Sequence, residues 1–126
     1  MILVVDDNIE TCHLLLRVLK LVKAKGHCED SGKHAVAWLK SNAPPDLVIL
    51  DVNMPDISGI EVLKIIKADP ELRAIPVVMH TALPAADIVQ MATGFGADGV
   101  LLKGRYRLTD VMDVVNTFTR PGQDSH

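Results

Sequence analysis

Asp46-Leu-Val-Ile-Leu-Asp51-Val-Asn-Met-Pro55 is the stretch whose reading decides the fold. Leu47 to Leu50 is an unbroken apolar run rich in branched side chains. Such a run suits a strand covered on both faces, as in a parallel sheet with helices on either side. It stops on Asp51 and gives way to Asn53, Met54-Pro55 and a loop holding Gly59. Open α/β folds place their ligands at the carboxyl edge of the sheet, so an acid ending a buried strand stands at that edge. A single acid there is usually just the opening of a turn. The same grammar recurs near the start, however, where Ile2-Leu-Val-Val5 runs into Asp6-Asp7.

Working outward from that strand, residues 2–5 read as strand one. Asn8 is the expected N-cap of a helix running to about Lys25 and stopped by Gly26. On this helix Glu10, His13, Arg17 and Lys20 share one stripe, while Ile9, Cys12, Leu15, Leu16, Leu19 and Val22 face the sheet. Leu14, Val18 and Leu21 widen the apolar arc, either covered by loops or part of a docking or dimer surface. His27 to Ser31 is a short, polar strand two suited to a sheet edge. Gly32 precedes a helix from about Lys33 to Asn42, closed by Pro44-Pro45. After strand three (47–50), Gly59 opens a helix with Ile60, Val62, Leu63 and Ile66 as its apolar set, ending near Asp69-Pro70. Pro76 starts strand four through Met79, with Thr81-Ala82 at its carboxyl end. A helix from about Ala85 to Thr93 ends at Gly94 and Gly96. Strand five is Val100 to Leu102 and ends on Lys103. Thr109 caps a last helix carrying Val111, Met112, Val115 and Phe118. Residues 1–118 are thus one domain, and 119–126 a polar tail or the start of a linker.

Five apolar strands alternating with five helical patterns predict an α/β doubly wound parallel sheet of flavodoxin-like type. The right-handed crossover rule leaves few topologies, and the order 2-1-3-4-5 sets strands one and three side by side. The totals agree. At 126 residues with 48% hydrophobic and only 3% aromatic side chains, the chain supports one aliphatic core. With 13 basic against 16 acidic residues there is no footprint for direct nucleic-acid binding and no polybasic face for membranes. No apolar run approaches the roughly 20 residues of a membrane span. Cys12 and Cys28 fit neither a disulfide framework nor a zinc site, and we read them as free thiols in a reducing cytoplasm, a bridge between them being the lesser alternative.

Four of the five strands end on a chemically useful group: Asp6-Asp7, Asp51, Thr81 and Lys103. Carboxylates gathered at one edge repel, a pair about 4 Å apart by roughly 4 kcal/mol at an effective dielectric near 20. A cation offsets that cost, and Mg²⁺, which takes oxygen ligands and keeps several waters, is the natural one. Asp7 and Asp51, with the backbone carbonyl of Asn53, are the expected ligands, and Asp6 holds a bound water. A metal so held suits phosphate oxygens. Lys103 adds a second positive charge, and the Thr81 hydroxyl and Ala82 N–H can donate to the remaining oxygens. An ionised carboxylate can itself be the nucleophile, and Asp51 is the candidate. Strand alternation predicts that His80 points away from this pocket, packed or solvated.

From Ile2 to about Phe118 the chain resembles the receiver domain of two-component response regulators. The resemblance rests on Val4-Val5-Asp6-Asp7, on Asp46 to Asp51 with Met54-Pro55-Asp56 and Gly59, on Ile75-Pro-Val-Val with Thr81-Ala82, on Gly96-Ala97-Asp98 and on Lys103. It implies that Asp51 accepts a phosphoryl group from a phosphohistidine on a sensor histidine kinase or histidine phosphotransfer protein. It also implies that Asp6, Asp7 and the Asn53 main chain serve Mg²⁺, that Thr81 moves toward the phosphate and that Lys103 pairs with it. The acyl phosphate later hydrolyses, so the chain is no enzyme beyond its own phosphotransfer and dephosphorylation. Two positions depart from the family pattern. Val100 stands where an aromatic residue is usual, and Gly104 where a proline usually follows the lysine. The phosphotransfer chemistry needs neither, but the readout does. Two other readings are kept: a receiver-shaped interaction module that no longer responds, and a phosphatase with an aspartyl-phosphate intermediate. Output partner, cognate kinase and homodimerisation are left open by the sequence.

Overall fold

The computed structural model describes residues 1–82, 86–104 and 106–119. The predicted helix start at Ala85 and the tail beyond Thr119 lie outside the described residues. Five parallel strands, β1 (Ile2–Val5), β2 (Gly26–Glu29), β3 (Leu47–Asp51), β4 (Val77–Thr81) and β5 (Gly99–Leu102), pair in the order β2-β1-β3-β4-β5. They alternate with α1 (Ile9–Leu21), α2 (Gly32–Ser41), α3 (Gly59–Ala68), α4 (Ala86–Gly94) and α5 (Leu108–Phe118). This is the predicted doubly wound topology.

Strand alternation divides the core in two. Leu3, Val5, Val48, Leu50, Val77 and Met79 point to one face, where Ala35 and Leu39 of α2 and Val62, Leu63 and Ile66 of α3 cover them. Ile2, Val4, Leu47, Ile49, Val78 and Leu101 point to the other, under Cys12, Leu15 and Leu19 of α1 and Val111 and Val115 of α5. Each such aliphatic side chain contributes about 1.5–3 kcal/mol on full burial. Among the described residues, three helix starts carry a side-chain cap, with Asn8, Ser31 and Ser58 accepting from the backbone N–H of Thr11, His34 and Glu61.

Several boundaries differ from the sequence reading, each for a local reason. α1 ends at Leu21, a turn short of Lys25, because Val22 caps it and Lys23 turns left-handed with φ 62. The Lys25 carbonyl already accepts the Ile2 N–H at 2.8 Å, so Gly26 begins β2 rather than stopping the helix. Ile9, predicted to face the sheet, is 65% exposed at the helix start. Of the surplus apolar side chains, Leu14 and Leu21 are exposed and Val18 packs on the α1–α5 half of the core. β2 stops at Glu29, because Ser31 is spent on capping α2. α5 begins before Thr109, since the Asp110 carboxylate reaches back to accept the Arg107 N–H at 2.7 Å.

The reading of the cysteines as free thiols is also corrected. Cys12 and Cys28 are joined by a disulfide across the seam between α1 and the edge strand β2, with Cα atoms 6.2 Å apart. A pair separated by 16 residues carries no framework signature in sequence, and only the packing of α1 against β2 brings it together.

Candidate functional site

The register of the sheet assembles the site. Val5 pairs with Leu50 and Asp51 with His80, so the residues just past β1 meet the end of β3. One carboxylate oxygen from each of Asp6, Asp7 and Asp51 lies within 4.8 Å of the others. Asp6 and Asp51 are buried and Asp7 is exposed, leaving the cluster open on one side. Lys103, just beyond β5, reaches across β4 and places Nζ 2.9 Å from Asp6 Oδ2 and 3.0 Å from Asp51 Oδ1. Its backbone N–H donates to the Thr81 carbonyl at 2.7 Å, which fixes where the side chain starts.

Asp6 is held from both flanks. Its N–H donates to the Glu29 carbonyl of β2 at 3.1 Å, and its Oδ1 accepts the N–H of Asn8, the α1 cap, at 2.9 Å. The loop after Asp51 is folded tightly back, with the Gly59 N–H donating to Val52 O at 2.8 Å. Asp56 secures the same loop from outside by accepting the N–H groups of Gly32 and Lys33 at the start of α2. Those backbone donors, Lys33 foremost, hold the Asp56 carboxyl down at about 2.

Burial pushes the Asp51 carboxyl up to about 6, and the charge of Asp6 adds to the rise. The Lys103 hydrogen bond and a backbone hydrogen bond from Asn53 work the other way without cancelling it. For Lys103 burial works to lower the pKa, but the carboxylates of Asp6 and Asp51 outweigh it and the net shift is upward. The lysine is therefore the charge that keeps two buried acids tolerable beside each other.

Of the residues singled out from sequence, Asp6, Asp7, Asp51 and Lys103 are brought together. Asn53 touches the group through its backbone, and its side chain is exposed. Thr81 is buried at the end of β4 and Ala82 follows it at the surface. Val100 is half-buried against the α2–α3 half of the core. Gly104 has φ +73, a conformation closed to proline.

His80 departs from expectation in one respect. It is packed, as expected, but beside the acid cluster and not away from it: it is the register partner of Asp51, and its Nδ1 lies 3.9 Å from Asp6 Oδ2. It is fully buried, its ring 5.6 Å from that of Tyr106, and burial, then the charge of Lys103, drives its pKa down to about 4. Sequence gave no role to Tyr106, and it gave Asp56 only a place in a motif.

An all-oxygen set of three carboxylates fits a hard divalent cation such as Mg²⁺ and offers nothing to a thiophilic metal. Lys103 at 2.9 and 3.0 Å shows that the cluster already gathers positive charge.

The chain is similar to known proteins in sequence and in fold. Residues 2–115 match the family model described as the response regulator receiver domain. The two-component response regulator ORR3 of Oryza sativa subsp. indica is 31% identical over 115 residues, covering 91% of this chain and 87% of that protein. Chemotaxis protein CheY-3 of Vibrio cholerae is 35% identical over 103 residues, covering 81% and 78%. Among solved structures, the Mn²⁺-bound form of response regulator Rcp1 superposes with a TM-score of 0.79 at 30% identity, covering 93% of this chain and 91% of that one.

Proposed function

The chain belongs to the response regulator receiver domain family, and on that premise we propose that it is a phosphorylatable switch with Asp51 as the phosphoacceptor. The observation that carries this reading is the convergence of Asp6, Asp7 and Asp51 within 4.8 Å, with Lys103 Nζ on two of them. The donor is a phosphohistidine of a sensor kinase or phosphotransfer protein in the cytoplasm. Residues 1–118 form the receiver unit, and 119–126 are a tail or a linker.

The carboxylates of Asp6, Asp7 and Asp51 and the Asn53 carbonyl would hold Mg²⁺, and the Mn²⁺-bound relative supports a divalent ion in such a site. When bound, Mg²⁺ supplies positive charge for the phosphoryl oxygens. The remaining work belongs to the chain. Asp51 must be ionised, and one of its oxygens attacks phosphorus in line as the histidine nitrogen leaves. Lys103, already paired with Asp51, moves onto a phosphoryl oxygen. The Thr81 hydroxyl and Ala82 N–H donate to the others. Water later attacks the acyl phosphate and returns the carboxylate.

The test is incubation with Mg²⁺ and a small acyl-phosphate donor, read by intact mass. One phosphoryl group is expected on the wild type, and none on Asp51→Asn or without the metal. Full labelling of Asp51→Asn would remove the assignment.

A further inference from the structure

The seam between α1 and β2 holds a second chemical group, the Cys12–Cys28 disulfide. Its place in the fold is specific. Cys12 lies in the first turns of α1, its N–H donating to the carbonyl of Asn8, the cap whose own N–H holds Asp6 Oδ1. Cys28 pairs in register with Val4, two residues before Asp6, and its neighbour Glu29 accepts the Asp6 N–H. The bond thus ties together the two elements that grip Asp6 from either side.

Stability alone does not call for this bond. Small secreted domains use disulfides where the core is insufficient, but here both faces of the sheet are covered by closed aliphatic clusters. In the reducing compartment that a kinase-fed receiver occupies, disulfides are transient and catalytic or redox-sensing. A surface pocket of about 410 Å³ opens beside both cysteines, with His13, Glu29 and His34 on its walls. Cys12 is buried, whereas Cys28, on the edge strand β2, is partly buried.

We propose that Cys12 and Cys28 form a reversible dithiol–disulfide site for the glutathione couple, set in the α1–β2 seam so that its state tunes how Asp6 is presented. The proposal rests on the receiver reading, which supplies both the reducing compartment and the role of Asp6. A glutathione thiolate attacks Sγ of Cys28, the less buried residue, forming a mixed disulfide and releasing Cys12 as a thiolate that takes up a proton. A second glutathione thiolate attacks the glutathione sulfur of the mixed disulfide, expelling Cys28 as a thiolate that is protonated in turn. The products are two cysteine thiols and one glutathione disulfide, and two electrons have passed to the protein. The freed sulfurs must then separate to van der Waals distance. α1 moves off β2, and the two hydrogen bonds that fix Asp6 loosen together.

The experiment equilibrates the full chain in glutathione buffers of graded ratio. It counts thiols by alkylation and intact mass, and measures Mg²⁺ affinity of the oxidised and reduced forms by calorimetry. A complete, reversible passage between zero and two alkylated cysteines is expected, with Mg²⁺ held about threefold more weakly in the reduced form. Cys28→Ser, and Cys12→Ala as a second variant should the first fold poorly, are expected to keep the weaker value in every buffer. Two free thiols that no oxidised glutathione converts, or a bond that yields only on unfolding, would overturn the site. Equal Mg²⁺ affinity in both forms would overturn the tuning while leaving the receiver reading intact. Absence of Mg²⁺ binding in either form would remove the receiver site itself, and the tuning with it.

Discussion

A Cβ on Gly59 would stand 2.0 Å from the backbone oxygen of Asp51. No rotamer change relieves such a contact, because both partners are main chain and the Gly59 N–H is already committed to Val52 O. The glycine is therefore what lets the loop close against the end of β3. Gly59→Ala is expected to destabilise the protein by about 1–3 kcal/mol, the usual cost of overpacking. It should also weaken Mg²⁺ binding, because the backbone that carries Asp51 must move. Urea unfolding and a calorimetric metal titration check both, and an unchanged metal affinity would detach Gly59 from the site.

Lys103 offsets two buried carboxylates, so removing it leaves Asp6 and Asp51 facing each other without a cation. Lys103→Met should lower stability in metal-free buffer by about 1–3 kcal/mol, less than for a fully buried pair because the lysine is partly exposed. Mg²⁺ should then raise the melting temperature of the variant more than that of the wild type, since the metal replaces the missing charge without displacing a lysine. Phosphoryl transfer should fall even so, because the second cation on the phosphate is lost. Equal thermal shifts in the two proteins would show that Lys103 and the metal do not compete.

Asp56 gives a prediction that bears on folding and not on chemistry. Its carboxylate accepts the N–H groups of Gly32 and Lys33, and its folded pKa is about 2, below the ordinary carboxylate value. A depressed carboxyl contributes stability above its unfolded pKa and loses it as pH falls through the folded one. Asp56→Asn should therefore be less stable than wild type at neutral pH and approach it near pH 2. Urea midpoints across that range measure the difference, and a constant gap would exclude the ionised carboxylate as the cause.

The sheet order was legible because it follows from patterns a single chain displays: apolar runs of strand length, glycine and proline punctuation, and one rule of handedness. The acid cluster followed from the sheet order, since Asp6 and Asp51 end adjacent strands. What stayed hidden depends on contacts between elements. The end of α1 is set by the Lys25 carbonyl joining β1, which helix periodicity does not record. The start of α5 depends on a carboxylate reaching back to Arg107. The Cys12–Cys28 bond needs the packing of α1 on β2, and two cysteines alone favour free thiols. His80 is packed as expected, but its place beside Asp6 comes from its register with Asp51, which a single strand's alternation does not record.

His80 supplies a test of that placement. It is buried and its pKa has fallen to about 4 because burial, then Lys103, disfavours the charged ring. Between the unfolded value of 6.5 and about 4 the unfolded chain binds the extra proton, so His80 lowers stability as pH falls through that window. His80→Leu removes this loss and the buried Nε2 that has no partner among the described residues. It should be more stable than wild type near pH 5 and closer to it near pH 8. Thermal melts at the two pH values decide, and a larger advantage at pH 8 would reverse the sign.

Asp51 titrates in the opposite sense, and its window bears directly on function. Its folded pKa of about 6 lies above the ordinary carboxyl value, so the folded protein holds a proton that the unfolded chain has released. Folding stability from this group is present at low pH and declines as pH rises through about 6, while readiness for chemistry grows over the same interval. Both Mg²⁺ and the phosphoryl group require the ionised form, so below about pH 6 the metal must displace a proton, and its affinity should fall by up to about tenfold per pH unit. Above pH 7 affinity should be nearly flat. Asp51→Asn cannot titrate, so its residual Mg²⁺ binding should lack the break near pH 6. Calorimetric affinities from pH 5 to pH 8 provide the curve. A wild-type profile flat down to pH 5 would mean that Asp51 is already ionised there, and that Lys103 offsets its burial more fully than the geometry implies.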